Sequence, residues 1–239
     1  MRTGSLGPSA RIVFADRGDG TGRPPYDRGN LADHVGDDPA AVAANRAVLA
    51  AALPIEPALL VAMSPVHGAE VAQVRAEPDL SPPAVDAMVT TDPDCALLVI
   101  AADCVPVLLA DGAAGVVGVA HAGWRGVRAD VVGQVLGAMK DLGARSGRLR
   151  AAVGPAICGR CFQVGPDVHA DVVRAAPAAR TDDPGRLDLR AAVVARLLRA
   201  GARVDSFGGC TAEQQRWFSY RRDSVTGRHG GAVMLGGWR

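Results

Sequence analysis

Three continuous apolar runs lie in the middle of the chain and restrict its fold more than any other feature. They occupy residues 96–100, 105–109 and 115–120. A strand with one face in water alternates apolar and polar residues, whereas runs without alternation are typical of strands buried on both faces. The sequence therefore predicts a sheet that is covered on both sides.

Amphipathic helices are predicted around these strands. Asp38 is suited to cap a helix that has Pro39 at its first position. Helical spacing of apolar residues predicts helices at residues 39–53, 127–142, 167–175 and 187–200. Short strands are predicted at residues 151–153 and 232–235, and a loop at residues 16–30. Buried strands mixed with such helices predict an α/β fold of mixed α+β character. Neither a repeat nor a linker divides the chain, so we expect one catalytic domain over residues 1–239.

Charge and composition exclude several classes of protein. The chain has 26 Lys+Arg against 25 Asp+Glu, and a general nucleic-acid binder needs a surplus of cations to displace counterions from phosphates. A hydrophobic fraction of 49% is enough to form a core. The longest apolar stretch, residues 95–110, is interrupted by Asp103 and is too short to span a bilayer. We therefore expect no nucleic-acid or membrane partner. Without a signal-like segment, the five cysteines are expected to be reduced thiols of a cytoplasmic protein.

Asp103 and Cys104 interrupt the apolar stretch and are the first candidates for chemistry. A carboxylate inside a buried strand costs several kcal/mol unless it is paired or bound to a metal. The alternative is that the strand ends at Ala102 and that Asp103 faces solvent in a turn.

His67, Cys104 and His121 form a candidate metal set. His121 ends the third apolar run and precedes the turn Gly123-Trp124. Zinc accepts thiolate and imidazole, and three protein ligands leave a fourth position for water, as in catalytic sites. The spacings of 37 and 17 residues do not form a motif, so the fold must bring the three together. Two alternatives stay open: structural histidines, or Cys104 as a nucleophile with His121 as its base.

Cys158 and Cys161 form a single CxxC motif. Such a motif is suited to redox chemistry or to half of a zinc site. The sequence has no second CxxC, and the motif does not lie at the strand-to-helix junction of a thioredoxin. We therefore expect these two cysteines not to be catalytic, and their role stays open.

The chain resembles the polyphenol-oxidase-like laccase-domain family, whose bacterial members are also called purine nucleoside phosphorylases or peptidoglycan editing factors. The matching blocks occur in family order at residues 25–31, 35–38, 45–46, 66–68, 86–90, 102–107, 121–126, 154–157, 162–165, 218–223 and 226–228. The resemblance implies a four-layer α/β/β/α sandwich. It also implies that His67, Cys104 and His121 bind a catalytic zinc. One departure is Pro65, where the family usually has glutamine.

The resemblance implies phosphorolysis of adenosine, inosine, guanosine or methylthioadenosine, and hydrolytic deamination of adenosine. A purine nucleoside and phosphate are then the partners, and Arg46 and Arg125 are candidates to bind phosphate. Three rival functions remain. They are a hydrolase that edits peptidoglycan precursors, a non-enzymatic partner protein, and a copper-dependent polyphenol oxidase. Five histidines are too few for a multi-copper laccase, although copper can enter a Cys-His-His site in vitro.

Overall fold

Two mixed β-sheets stack face to face, and helices cover both outer surfaces. The structure is a computed structural model that describes residues 1–77 and 81–237. The strands are β1 (Arg2–Ser5), β2 (Ala10–Phe14), β3 (Leu60–Ala62), β4 (Val71–Gln73), β5 (Ala87–Thr90), β6 (Ala96–Ala101), β7 (Val105–Asp111), β8 (Val116–Ala122), β9 (Arg150–Val153), β10 (Arg203–Ser206) and β11 (His229–Leu235). The helices are α1 (Pro39–Ala52), α2 (Trp124–Arg128), α3 (Val131–Asp141), α4 (Pro166–Ala175), α5 (Leu189–Arg199) and α6 (Tyr220–Asp223).

One sheet has the strand order β1-β2-β11-β6-β3 and the other β10-β9-β7-β8-β5-β4. Most neighbouring strands are antiparallel, and β3–β6, β4–β5 and β9–β10 are parallel. Helix α1 packs on the five-stranded sheet, whereas α2 to α5 pack on the six-stranded sheet. The layer order α/β/β/α and the mixed α/β class confirm the predicted fold.

Alternate side chains of the central strands face different layers, which explains the continuous apolar runs. On β6, Leu97 and Val99 pack in the core between the sheets, while Leu98 and Ile100 pack in the cluster that contains α1. Strands β7 and β8 divide in the same way between the other sheet and helices α2 to α5. A strand between two apolar layers needs no polar face.

The predicted helix at residues 127–142 is wrong in one respect, because it is two helices. Helix α2 ends at Arg128 and α3 begins at Val131. Between them, Asp130 adopts a left-handed conformation with φ of 57°, and its side chain accepts a hydrogen bond from the amide of Gly133. Apolar spacing continues across the break, so the spacing alone did not show it.

No helix of the described residues is long and apolar enough to cross a bilayer.

Candidate functional site

The candidate site lies at one end of the sandwich, where chain segments leave both sheets. Cys104 is in the connection by which the chain passes from β6 in one sheet to β7 in the other. His121 is the second-last residue of β8 and pairs with Pro106 of β7. His67 lies in the loop between β3 and β4. The register of β7 with β8 thus brings Cys104 beside His121.

The structure brings together the three residues of the candidate metal set. One ring nitrogen from His67, one from His121 and the Sγ of Cys104 all lie within 4.8 Å of one another. The two imidazole ring centres are 4.9 Å apart and the rings are nearly perpendicular, at 70°. His121 is buried, Cys104 is half-buried and His67 is exposed. The group therefore has one side in the protein and one side open.

Asp86 orients two members of this group and was not among the site residues predicted from sequence. Its carboxylate lies 2.8 Å from Nδ1 of His121 and accepts hydrogen bonds from the amides of His67 at 2.9 Å and Gly68 at 2.5 Å. A carboxylate can only accept, so the proton of the neutral imidazole stays on Nδ1 and leaves Nε2 of His121 for a metal. The only signal for Asp86 in the sequence was its position at the start of the matching block 86–90.

The charges of the group support one another. Burial raises the pKa of the Cys104 thiol, but the adjacent His121 and His67 lower it by more, to about 6. Burial lowers the pKa of His121, but the Cys104 sulfur and Asp86 raise it to about 9. Burial likewise raises the pKa of Asp86, and hydrogen bonds from His121 and from the amides of Gly68 and His67 bring it below its ordinary value. Without a metal, the site therefore stabilises a Cys104 thiolate paired with a His121 imidazolium. A metal bound at Nε2 of His121 would displace the proton there and keep the one on Nδ1.

Gly123 leaves space beside the ligand atoms. A Cβ at this position would lie 3.0 Å from the Sγ of Cys104 and 3.0 Å from Nδ1 of His67. Both distances are shorter than ordinary van der Waals contact. Any larger residue would therefore displace two of the three candidate ligands.

Asp103 is a structural partner of the site. The strand does end before Asp103, at Ala101, as the alternative predicted. Asp103 is only 8% exposed, however, so the prediction that it faces solvent is wrong. Its carboxylate accepts hydrogen bonds from the Thr211 hydroxyl at 2.6 Å and from the Arg221 amide at 2.7 Å. These bonds satisfy the buried charge and attach the chain before Cys104 to the first turn of α6.

A cavity of about 330 Å³ opens over the three candidate ligands. Its wall includes Arg125, one of the two arginines predicted to bind phosphate, and also residues that were not among the predicted site residues. These are His34, Trp124, Ile157, Phe162, Tyr220, Arg221 and Arg228. The structure does not bring Arg46 to this wall: its guanidinium donates to the Leu31 carbonyl at 2.9 Å and to Asp33 at 3.2 Å. A phosphate-binding role for Arg46 stays a prediction that the geometry does not favour.

The fold and this cavity define the class of the protein: an α/β/β/α sandwich with a cluster of His, Cys and His side chains at one end. Residues 11–236 match the family model described as multi-copper polyphenol oxidoreductase laccase. The chain belongs to this family, which confirms the resemblance predicted from the sequence.

Several relatives are similar over nearly their whole length. A Streptomyces coelicolor protein named purine nucleoside phosphorylase is 46% identical, covering 95% of this chain and 96% of that protein. A Mycobacterium tuberculosis protein of the same name is 43% identical, covering 98% of this chain and 95% of that protein. A crystal structure of a Neisseria meningitidis protein superposes with a TM-score of 0.85 at 32% identity, covering 98% and 96%. The crystal structure of YlmD from Geobacillus stearothermophilus superposes with a TM-score of 0.85 at 28% identity, covering 97% and 93%.

Proposed function

We propose that the protein is a zinc-dependent purine nucleoside phosphorylase that also deaminates adenosine. The observation that carries the proposal is the convergence of His67, Cys104 and His121 beneath a cavity walled by arginine and aromatic side chains. The names of the relatives favour phosphorolysis. Adenosine, inosine, guanosine and methylthioadenosine are the proposed substrates, and deamination of adenosine is the proposed second reaction.

The donor set suits zinc. Two imidazole nitrogens and one thiolate match its preferred ligands, and three protein ligands leave one coordination position open. Asp86 fixes the tautomer of His121, and the absence of a side chain at Gly123 keeps space at the ligand atoms. A zinc ion held by these residues would supply a Lewis acid and a water molecule of lowered pKa.

Cationic side chains in the cavity wall support the proposal that phosphate binds there. Nη1 of Arg228 donates to the carbonyls of Thr226 at 2.8 Å and Gly227 at 3.0 Å, which fixes the guanidinium at the cavity wall. Arg125 lines the same cavity, with its guanidinium carbon 4.3 Å from the Trp124 ring centre. A guanidinium can bind two phosphate oxygens at once. We therefore assign phosphate to Arg228 and Arg125.

Aromatic side chains of the cavity are suited to hold the purine. Trp124, Phe162 and Tyr220 contribute flat apolar surface to its wall, and stacking on such rings is worth about 1–3 kcal/mol per base.

In phosphorolysis a phosphate oxygen bonds to C1′ of the ribose as the bond to the purine nitrogen breaks. The positive charge that develops on the ribose is then adjacent to bound phosphate. In deamination water adds at C6 of adenosine and ammonia leaves, so both reactions need the base in this cavity.

Multi-copper oxidase chemistry is not supported, despite the description of the family. Of the five histidines of the chain, His169 and His229 do not line the cavity and His34 is not in the ligand group. Copper bound at His67, Cys104 and His121 in vitro would follow from its high affinity for such ligands. Peptidoglycan precursors are the alternative class of substrate, and an activity assay with these precursors distinguishes them from nucleosides.

The test is Cys104→Ala, because Cys104 supplies the only thiolate of the proposed zinc set. Zinc at this site, phosphorolysis and deamination should all be lost together. Activity is measured with each nucleoside, with and without phosphate, and with peptidoglycan precursors as a separate panel. The control is Cys95→Ala, which removes a buried thiol from the core between the sheets and should keep zinc and both activities.

Two results would contradict the proposal. A Cys104→Ala protein that retains either activity would show that the chemistry lies elsewhere. Wild-type protein that turns over only peptidoglycan precursors would replace the nucleoside assignment while leaving the metal site intact.

A further inference from the structure

The CxxC cysteines lie beside a third cysteine and a glutamate from a distant part of the chain. The Sγ atoms of Cys158, Cys161 and Cys210 and a carboxylate oxygen of Glu213 all lie within 4.8 Å of one another. We call these four side chains the thiolate cluster. None of them lines the cavity of the proposed active site. The sequence did not reveal the cluster because a lone cysteine at position 210 has no motif around it.

Hydrogen bonds connect the members of the thiolate cluster. The amide of Cys158 donates to the Sγ of Cys210 at 3.3 Å. The Sγ atoms of Cys158 and Cys161 lie 3.6 Å and 3.5 Å from Oε1 of Glu213. Arg160 donates to both oxygens of Glu213, at 3.0 Å and 3.2 Å. The carboxylate is thus turned toward the two thiols.

Backbone hydrogen bonds and a β-bridge hold the segments of the cluster in place. The amides of Cys161 and Phe162 both donate to the carbonyl of Cys158 at 3.0 Å, which forms a tight turn between the two cysteines. Ala156 and Cys210 form a parallel β-bridge. The amide of Thr211 donates to the carbonyl of Ala156 at 3.2 Å. Two chain segments therefore present their sulfur atoms to one point.

We propose that Cys158, Cys161, Cys210 and Glu213 bind a second zinc ion that has a structural role. Thiolate sulfur and carboxylate oxygen are both zinc ligands, and four protein ligands complete a tetrahedral site without an open position. A closed site of this kind stabilises the fold and does not activate water. Three thiolates and one carboxylate carry more negative charge than the two positive charges of zinc balance. The adjacent Arg160 reduces the remaining negative charge.

The proposed second zinc would fix one wall of the cavity. Ile157 and Phe162 flank the CxxC turn and both line the cavity. Arg221 donates to the Gln163 carbonyl at 2.9 Å, and its guanidinium carbon lies 5.2 Å from the Phe162 ring centre. A metal that joins the turn to Cys210 would therefore restrict the position of Phe162, which we assign to the purine. The zinc assignment itself does not depend on the proposed function.

The experiment counts zinc in protein purified under reducing, anaerobic conditions and dialysed after zinc loading. Wild-type protein should hold two zinc ions per chain. Cys104→Ala should hold one, the double variant Cys158→Ser/Cys161→Ser should hold one, and the triple variant should hold none. Cys95→Ala is the matched control and should hold two. Cobalt loaded into Cys104→Ala should give intense thiolate-to-metal charge-transfer absorption, which the triple variant should lack.

The zinc count in Cys104→Ala decides the result. If this variant is folded, has all its remaining thiols reduced and holds no zinc, the second site does not exist. A Cys158–Cys161 or Cys158–Cys210 disulfide in anaerobically purified protein would overturn the proposal in favour of a redox pair.

A further variant covers the case in which the double variant fails to fold. Glu213→Gln changes an exposed residue, so the fold should remain. In the Cys104→Ala background, it should release zinc to a chelator at least tenfold faster than its parent. An unchanged release rate would remove Glu213 from the site.

Discussion

Replacing Asp86 by asparagine should weaken zinc binding at the proposed active site by 10- to 100-fold. In the structure one carboxylate oxygen faces Nδ1 of His121 and the amide of His67, and the other faces the amides of Val66 and Gly68. Asparagine has one carbonyl oxygen and one NH₂ group, so one of these two pairs of donors would face another donor. Partners of histidine ligands typically contribute 10- to 100-fold in metal affinity or activity, about 1.4–2.7 kcal/mol.

The same substitution should reduce stability without metal. Two amide donors lose an ionised acceptor, and each hydrogen bond to a charged group contributes about 1.5 kcal/mol or more. We expect the free energy of unfolding of the zinc-free protein to fall by about 3 kcal/mol. Competition with a chromophoric chelator measures zinc affinity, and urea unfolding of the chelated protein measures stability.

Asp92→Asn is the matched control for Asp86→Asn. Asp92 accepts hydrogen bonds from the amides of Ala76 at 3.1 Å and Asp94 at 3.0 Å, beyond the other end of β5. Like Asp86, it stabilises a loop by accepting hydrogen bonds from backbone amides, but it contacts no histidine of the site. This control should lose stability and keep zinc affinity. If Asp86→Asn also lost only stability, with zinc affinity within twofold of wild type, Asp86 would be a loop brace and its assigned role in orienting His121 would be refuted.

Three further predictions address separate parts of the molecule. Gly123→Ala should weaken zinc binding at least tenfold, because its Cβ would lie 3.0 Å from the Sγ of Cys104 and 3.0 Å from Nδ1 of His67. Gly137→Ala should not, because no atom of the described residues lies within 4 Å of a Cβ at that position; chelator competition compares the two variants. Arg228→Ala should raise the KM for phosphate at least tenfold and Arg46→Ala less than twofold in steady-state assays; the reverse order would restore Arg46 as the phosphate ligand. Burial lowers the pKa of His229 from 6.5 to about 4. His229 of the unfolded chain is therefore protonated at a higher pH than His229 of the folded chain, and the free energy of unfolding should fall by about 3 kcal/mol as the pH drops from 6.5 to 4. His229→Gln should reduce that slope in urea titrations, and an identical slope would exclude His229 as its source.

The fold could be predicted where local pattern and tertiary environment agree. The three apolar runs became β6, β7 and β8, because both faces of each are covered. Helix α1 began at the predicted cap, with the Asp38 side chain accepting from the amide of Ala40. The short strands β1, β2, β3, β4, β5 and β10 were not predicted. They have three to five residues each, too few for alternation to be distinguished from chance.

The candidate site was predictable only in its side-chain types. The ends of the apolar runs indicated Cys104 and His121, whereas His67 was indicated only as a residue type that zinc accepts. The register of β7 with β8 brings Cys104 to His121, and the loop between β3 and β4 adds His67. Residues that act through long-range hydrogen bonds, such as Asp86, leave no local signal. The same holds for Cys210, which is 52 residues from its partner Cys158. The spacing of residues in the sequence therefore identifies only some of the residues of a site that is assembled from both sheets.

The two loops that carry candidate ligands adopt backbone conformations that the local sequence opposes. His67 has a φ of 61° and Asp103 has a φ of 89°, both in the left-handed region that favours glycine. Each such residue costs on the order of 1–3 kcal/mol and persists only where its surroundings fix it. A buried carboxylate does so in each case: Asp86 binds the amide of His67, and the Asp103 side chain binds Thr211 and the amide of Arg221. Because these bonds hold the strained loops, the positions of His67 and Cys104 are set before a metal binds. Bond lengths in a zinc site stay within about 0.2 Å of their usual values, so ligands carried on fixed loops need little rearrangement to bind the ion.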